Sequence, residues 1–169
     1  FGGMFAVFTY IAPILTRLTG FADAAVSPIL LVFGAGLIAG NLIGGRLADW
    51  RLVPSMLGSL LALAAVMALM TFALHDRIAM VAFVGLLGAA AFATVPPLQM
   101  WVLEKATGAG QSLASSFNIA AFNLGNALGA WLGGLVIADG AGLPYLPLAA
   151  ASFPLLALGS LAWGLSLER

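Results

Sequence analysis

The chain contains no cysteine, which excludes disulfides and thiolate metal sites. Its one histidine, His75, cannot form a histidine cluster, so neither a metal nor a cofactor is expected. Charge is scarce too: 7% of residues are charged, against roughly 25% in an ordinary soluble domain. The net charge is zero, and no basic surface is available to attract nucleic acid. What remains is oil, with 63% hydrophobic residues in a 169-residue chain, a composition that belongs in a bilayer. The apolar run begins at Phe1 with no charged segment before it, so no signal peptide is expected and the sequence reads as a piece of a longer protein.

A bilayer core of about 30 Å takes about 20 helical residues to cross. Charges and turn residues divide the chain into six candidate spans, at 1–18, 26–48, 54–74, 78–103, 113–137 and 145–166. The fold class expected is therefore all-α, a polytopic bundle in contact with lipid. All six acids (Asp23, Asp49, Asp76, Glu104, Asp139, Glu168) and all six cations (Arg17, Arg46, Arg51, Arg77, Lys105, Arg169) fall in connections, in the tail or in the last turn of a span. Arg46, Arg51, Lys105 and Arg169 share one face with Trp50, Trp101 and Trp163, while Arg17 and Arg77 share the other. Basic residues are retained in the cytoplasm and tryptophans favour the interface, so Phe1 and Arg169 are both placed on the cytoplasmic side.

Five glycines in FGAGLIAGNLIGGRLAD, residues 33–49, would cost a water-exposed helix dearly, at about 0.5–1 kcal/mol each relative to alanine. In lipid the balance changes, because small residues let helix backbones approach closely. Gly36, Gly40 and Gly44 lie on one face of span two, and Gly125, Gly129 and Gly133 repeat the spacing in span five. Spans two and five are expected in the interior, and spans three and six against lipid. The runs Gly40-Asn41-Leu42-Ile43-Gly44 and Gly125-Asn126-Ala127-Leu128-Gly129 match at both glycines and the asparagine. Spans three apart cross in opposite directions, so this echo points to an inverted repeat, spans one to three against four to six.

The run Gly45-Arg46-Leu47-Ala48-Asp49 resembles the loop signature of the major facilitator superfamily, and the span-five ladder resembles that superfamily's antiporter glycine motif. The opening residues 1–13 and the stretch 117–127 resemble the arabinose efflux permease and drug:proton antiporter branch. Trp50 and Leu52 depart from the loop pattern, standing where a basic residue and a glycine are usual. The resemblance implies that this is a single six-helix domain, 1–169, equivalent to helices seven to twelve of a twelve-helix transporter in a bacterial inner membrane. It further implies proton-coupled efflux of drugs, sugars or related small molecules by alternating access, with the N-terminal half, the substrate and protons as partners. It casts Gly45, Arg46, Asp49 and Arg51 as a conformational latch.

Several polar and aromatic residues are candidates for a substrate cavity: Phe5, Phe8 and Tyr10 in span one, Gln99 in span four, and Asn118 and Asn123 in span five. The two asparagines are five apart and point about 140° from one another, so only one can face a given pocket squarely. Asn41 and Asn126 lie beside the glycine ladders and read as interhelical bonding groups; Asp49 also reads as a cap at the entrance to span three. Pro96 and Pro97 should kink span four, and Pro13 and Pro154 permit weaker kinks. Asp76 and His75 read as a solvated turn. With no titratable group inside a span, any coupling carboxylate is expected in the other half. Two competing readings stand beside transport. A non-transporting scaffold that assembles as an oligomer is one. A membrane-embedded enzyme is the other, disfavoured because no base accompanies Ser115 or Ser116.

Overall fold

The computed structural model describes residues 1–106, 110–138 and 142–167; Asp139, Glu168 and Arg169, assigned above to a connection and the tail, lie outside them. All regular structure among the described residues is helical. Five stretches are long and apolar enough to cross a membrane: Asp23–Trp50, Leu52–Ala73, Arg77–Lys105, Gln111–Ala138 and Leu143–Leu167. Two of them are unbroken helices of equal length, α3 (Asp23–Trp50) and α7 (Gln111–Ala138), and α4 (Leu52–Ala73) is also continuous.

The remaining segments break, and proline explains where. Residues 1–18, expected as one span, divide into α1 (Gly2–Thr9), α2 (Ile11–Pro13) and a π-helical turn, Ile14–Leu18. Span four divides at Thr94 into α5 (Arg77–Ala93) and α6 (Val95–Lys105). Span six divides into a 3-10 turn, Leu143–Tyr145, then α8 (Leu146–Ala150) and α9 (Ser152–Leu167). The interruptions at Tyr10, Thr94 and Ala151 each lie three residues before a proline, namely Pro13, Pro97 and Pro154. A proline lacks the N–H that would reach the carbonyl four residues back, and its ring crowds that carbonyl. Pro28 lies inside α3 without breaking it.

Helix α3 runs along α5, α7 runs along α1, and α4 packs on α5 and α9. The second helix of each proposed repeat thus lies on the first helix of the other. A main hydrophobic core joins α1, α4, α5 and α8 through Met4, Val7, Met67, Met70, Met80, Leu87 and Leu146, all fully buried. A smaller core of Met56, Leu60 and Leu161 lies at the other end, with Leu98 and Trp101 packed against it.

Burial within this chain differs among the long helices. Only 17% of the apolar window of α3 and 11% of that of α7 is buried within this chain, against 44% for α4. Helices α3 and α7 each bury one face and leave the rest open within this chain, whereas α4 is the most enclosed of the five long stretches. One correction concerns Asp49. Helix α3 extends through it to Trp50, and the residue preceding α4 is Arg51, which makes no side-chain cap. Asp49 is therefore in the last turn of α3 and does not cap span three. The cap falls elsewhere: Asp76 accepts a hydrogen bond from the Ala79 N–H at 2.8 Å and opens α5.

Candidate functional site

The closest helix approaches among the described residues are built from glycine. A Cβ added at Gly36, Gly40 or Gly44 would run into the backbone carbonyl of Gly85, Ala89 or Ala93, respectively, and one at Gly88 would strike the Phe33 carbonyl. Small residues at intervals of four on both helices let the backbones touch. In α7, a Cβ added at Gly129 would run into the Gly2 carbonyl, one at Gly125 would come within 3.4 Å of the Gly2 nitrogen, and one at Gly133 within 3.0 Å of Tyr10 Cε2. Tyr10 donates to the Ala130 carbonyl at 3.1 Å, so its hydroxyl joins the first span to the fifth.

The structure brings Gln99 and Asn118 together. The Asn118 side-chain N–H donates to Gln99 Oε1 at 2.5 Å, and Gln99 Nε2 donates to Ser115 Oγ at 2.8 Å. All three residues are half-buried between α6 and α7. Ser115 is the partner sequence reasoning did not pair with Gln99; it and Asn118 lie three apart on one helix face, a usable signal. Asn123 stands apart from them, exposed and donating to its own Ile119 carbonyl at 3.1 Å. Asn41 is exposed, and the buried Asn126 Oδ1 has no partner among the described residues.

Two aromatic groups occupy the seams. Phe5 lies 6.0 Å from Phe8, and Phe8 lies 4.7 Å from Phe33 of α3. Phe1 contacts Phe92 of α5 at 5.6 Å and Phe122 of α7 at 4.7 Å, both edge-on. Phe33, Phe92 and Phe122 were not among the candidates, since phenylalanine spacing within one helix does not reveal partners on another. A separate apolar cavity of about 240 Å³ opens beside the break at Ala151, lined by Ala6, Leu132, Gly133, Val136, Ala150 and Phe153, and none of the six expected cavity residues borders it.

At the opposite end of α3, Arg46, Asp49, Trp50 and Arg51 are exposed. The Arg51 guanidinium lies 5.4 Å from the Trp50 ring centre. Ser55 Oγ lies 2.6 Å from both the Leu47 and the Arg51 carbonyl and so secures the corner between α3 and α4. A Cβ at Gly45 would meet nothing within 4 Å. On the other side of the bundle Arg77 donates to the Gly20 carbonyl at 2.5 Å and lies over Phe21.

Comparison with known proteins adds the whole-chain likeness. The chain is 42% identical over 157 residues to the inner membrane transport protein YdhP of Escherichia coli, covering 93% of this chain and 40% of that protein. It is 39% identical over 146 residues to the uncharacterized MFS-type transporter YtbD of Bacillus subtilis, covering 85% of this chain and 37% of that one. A chloramphenicol resistance protein of Streptomyces lividans is 39% identical over 128 residues, 74% of this chain and 32% of its own length. The chain thus spans about two fifths or less of the curated relatives it matches, all three of which carry names of transport or resistance. No family model and no solved structure matches.

Proposed function

Since this all-helical membrane chain belongs to the major facilitator superfamily, we propose that it is the C-terminal half of a proton-coupled exporter of small molecules in a bacterial inner membrane. The substrate binds between this bundle and an N-terminal half, and the two halves rock to expose it alternately. The observation that carries this reading is the placement of Asn41 and Asn123, both exposed on the open faces of α3 and α7. An amide facing hydrocarbon is costly, so these faces suit a second protein surface and a wet cavity better than lipid. The half-buried Phe5, Phe8, Gln99 and Asn118 are candidates to line that cavity, with Tyr10 tying α1 to α7. Apolar walls with a few neutral amides suit an uncharged amphiphile of the kind named for the chloramphenicol resistance relative.

The cations support an orientation with both ends of this chain cytoplasmic, since Arg46, Arg51 and Lys105 lie with Trp50 and Trp101 on one side. On that side Gly45 and the exposed Arg46, Asp49 and Arg51 form the latch. Replacing Asp49→Asn in the complete gene product lowers transport at least several-fold while insertion into the membrane is unchanged. Equal flux from the variant removes the latch.

The deciding experiment expresses the complete gene in cells lacking their own exporters. It measures accumulation of chloramphenicol and of a panel of drugs and sugars, with and without a protonophore. Accumulation is expected to fall on expression and to recover when the proton gradient collapses. Efflux indifferent to the gradient overturns proton coupling; absence of efflux for every compound favours the non-transporting scaffold.

A further inference from the structure

Where the sixth span breaks, a wedge opens beside α7. Before the break α8 packs on α7 and α1; past it α9 turns to α4 and scarcely meets α7. The wedge is the cavity of about 240 Å³, and its walls are hydrocarbon. Ser152, the polar side chain on its border, is already satisfied, donating to the Ala149 carbonyl at 2.6 Å. Pro154 brings no N–H to the Ala150 carbonyl, and that carbonyl lies against Gly3 of α1, 2.5 Å from where a Cβ would stand. Such a space has nothing to hold water; apolar cavities of about 150 Å³ stay dry and accept small hydrocarbons.

The surface of α7 identifies the medium this cavity meets. Take the Gly129 contact with Gly2 as the front of the helix and turn about 100° per residue. The exposed Ser112, Ser116 and Asn123 then fall on one flank, with Ile119 among them. Phe117, Leu124, Leu128, Trp131 and Leu135, exposed as well, fall on the other. Leu132 and Leu135 of the cavity wall belong to this apolar flank, which suits lipid, and not to the polar one, which suits water and substrate. At 1.5 Å per residue, wall residues 146–153 lie about 5–15 Å below the start of the span at Leu143, within the hydrocarbon layer. Tyr145, exposed and next to the wall residue Leu146, stands at the interfacial end. We infer that the cavity seats one acyl chain of a membrane phospholipid, entering from the apolar flank of α7, with the headgroup level with Tyr145. Continuity with the lipid-facing flank, depth and the lack of any unmet polar group among the lining residues all favour hydrocarbon. A drug site keeps a few polar groups to orient its ligand, and this cavity offers none.

The test places the complete gene product in vesicles of phosphatidylglycerol and phosphatidylethanolamine, the latter carrying a photoactivatable diazirine on one acyl chain. Irradiation before and after transfer to detergent separates held lipid from bathing lipid. After transfer, labelling should persist on residues 132–136 and 149–153 and fall several-fold at Leu156, which is exposed on the outside of α9. Ala149→Phe fills the cavity from α8 and should cut the retained labelling of 132–136 several-fold, with Leu156 labelled as before in the vesicle. Leu132→Trp fills it from α7 and supplies the readout if Ala149→Phe does not fold. Excess chloramphenicol should leave the retained labelling unchanged; displacement by it makes the cavity a drug site and overturns the lipid assignment. Walls that take no label are covered by protein, and that result overturns it too. So does label lost on transfer as fully as at Leu156, or label indifferent to both filling variants. Neither flux nor a gradient is measured, so the acyl seat stands or falls separately from the exporter reading.

Discussion

Helices α3 and α7 carry glycine at the same spacing and have the same length, yet their ladders grip differently. Opposite Gly36, Gly40 and Gly44, helix α5 offers Gly85, Ala89 and Ala93, small residues in the same rhythm, and every step closes to a carbonyl. Opposite α7, the first segment offers Gly2, Ala6 and then Tyr10. The third step is therefore large, the ring covers Gly133, and the deepest contact is confined to Gly129 on Gly2. A glycine ladder specifies a face for close approach; the partner's residues decide how far the approach goes. One pair is a rigid rail, and the other is a rail that ends on an aromatic stop.

The sharpest way to break that contrast is Gly40→Ala. Its new Cβ would overlap the carbonyl, carbon and Cα of Ala89, all backbone atoms that cannot rotate away. Forcing the two helices apart should cost about 3 kcal/mol, the upper end for overpacking a tight interior. It should also lower the unfolding temperature of the complete gene product in detergent. Gly34→Ala is the internal control: nothing lies within 4 Å of its Cβ, and helix propensity predicts a neutral or slightly stabilising change of about 0.5 kcal/mol. Equal melting shifts for the two variants would mean that the α3 and α5 backbones are not in contact.

Gly129→Ala should fall between these. Its Cβ meets the Gly2 carbonyl just as closely, but α1 is a short segment that ends at Tyr10. A short piece shifts more readily than a helix braced at three steps, so about 1–2 kcal/mol is expected. A loss as large as that of Gly40→Ala would show the two rails to be equally stiff and remove the distinction.

The sequence carried the spacing of both ladders, the prolines behind all three breaks, and the polar residues that meet at Gln99. It did not carry the partners. Period-four glycine identifies a face of α3, but Gly85, Ala89 and Ala93 are read as its counterpart only once the helices are side by side. Nor did it carry burial. In a membrane chain, residues facing lipid and residues facing protein are similarly apolar, so hydropathy does not separate an outer helix from an inner one. Within this chain α4 is the most enclosed long helix, through Met56, Met67 and Met70, flexible side chains that fill irregular space without a periodic signature. The Asp49 misplacement has a similar origin: an acid before an apolar run looks like a cap, but the preceding helix continues past it to Trp50.

The smallest destabilisation comes from removing only the hydroxyl of the aromatic stop. Tyr10→Phe keeps the ring over Gly133 and removes only the hydroxyl that donates to the Ala130 carbonyl at 3.1 Å. That carbonyl also belongs to the helical bonding of α7, so it is not stranded, and the loss should be the net worth of one hydrogen bond, about 1 kcal/mol. Tyr10→Ala removes the ring as well and leaves space beside Gly133 and Gly134, so its cost should rise to about 3 kcal/mol, as for other large-to-small changes at packed aromatics. The difference between these two variants measures how much of the α1–α7 attachment is packing and how much is the hydroxyl. If Tyr10→Phe proves as damaging as Tyr10→Ala, the hydroxyl is what anchors α7 to the first segment, and the ring is incidental to it.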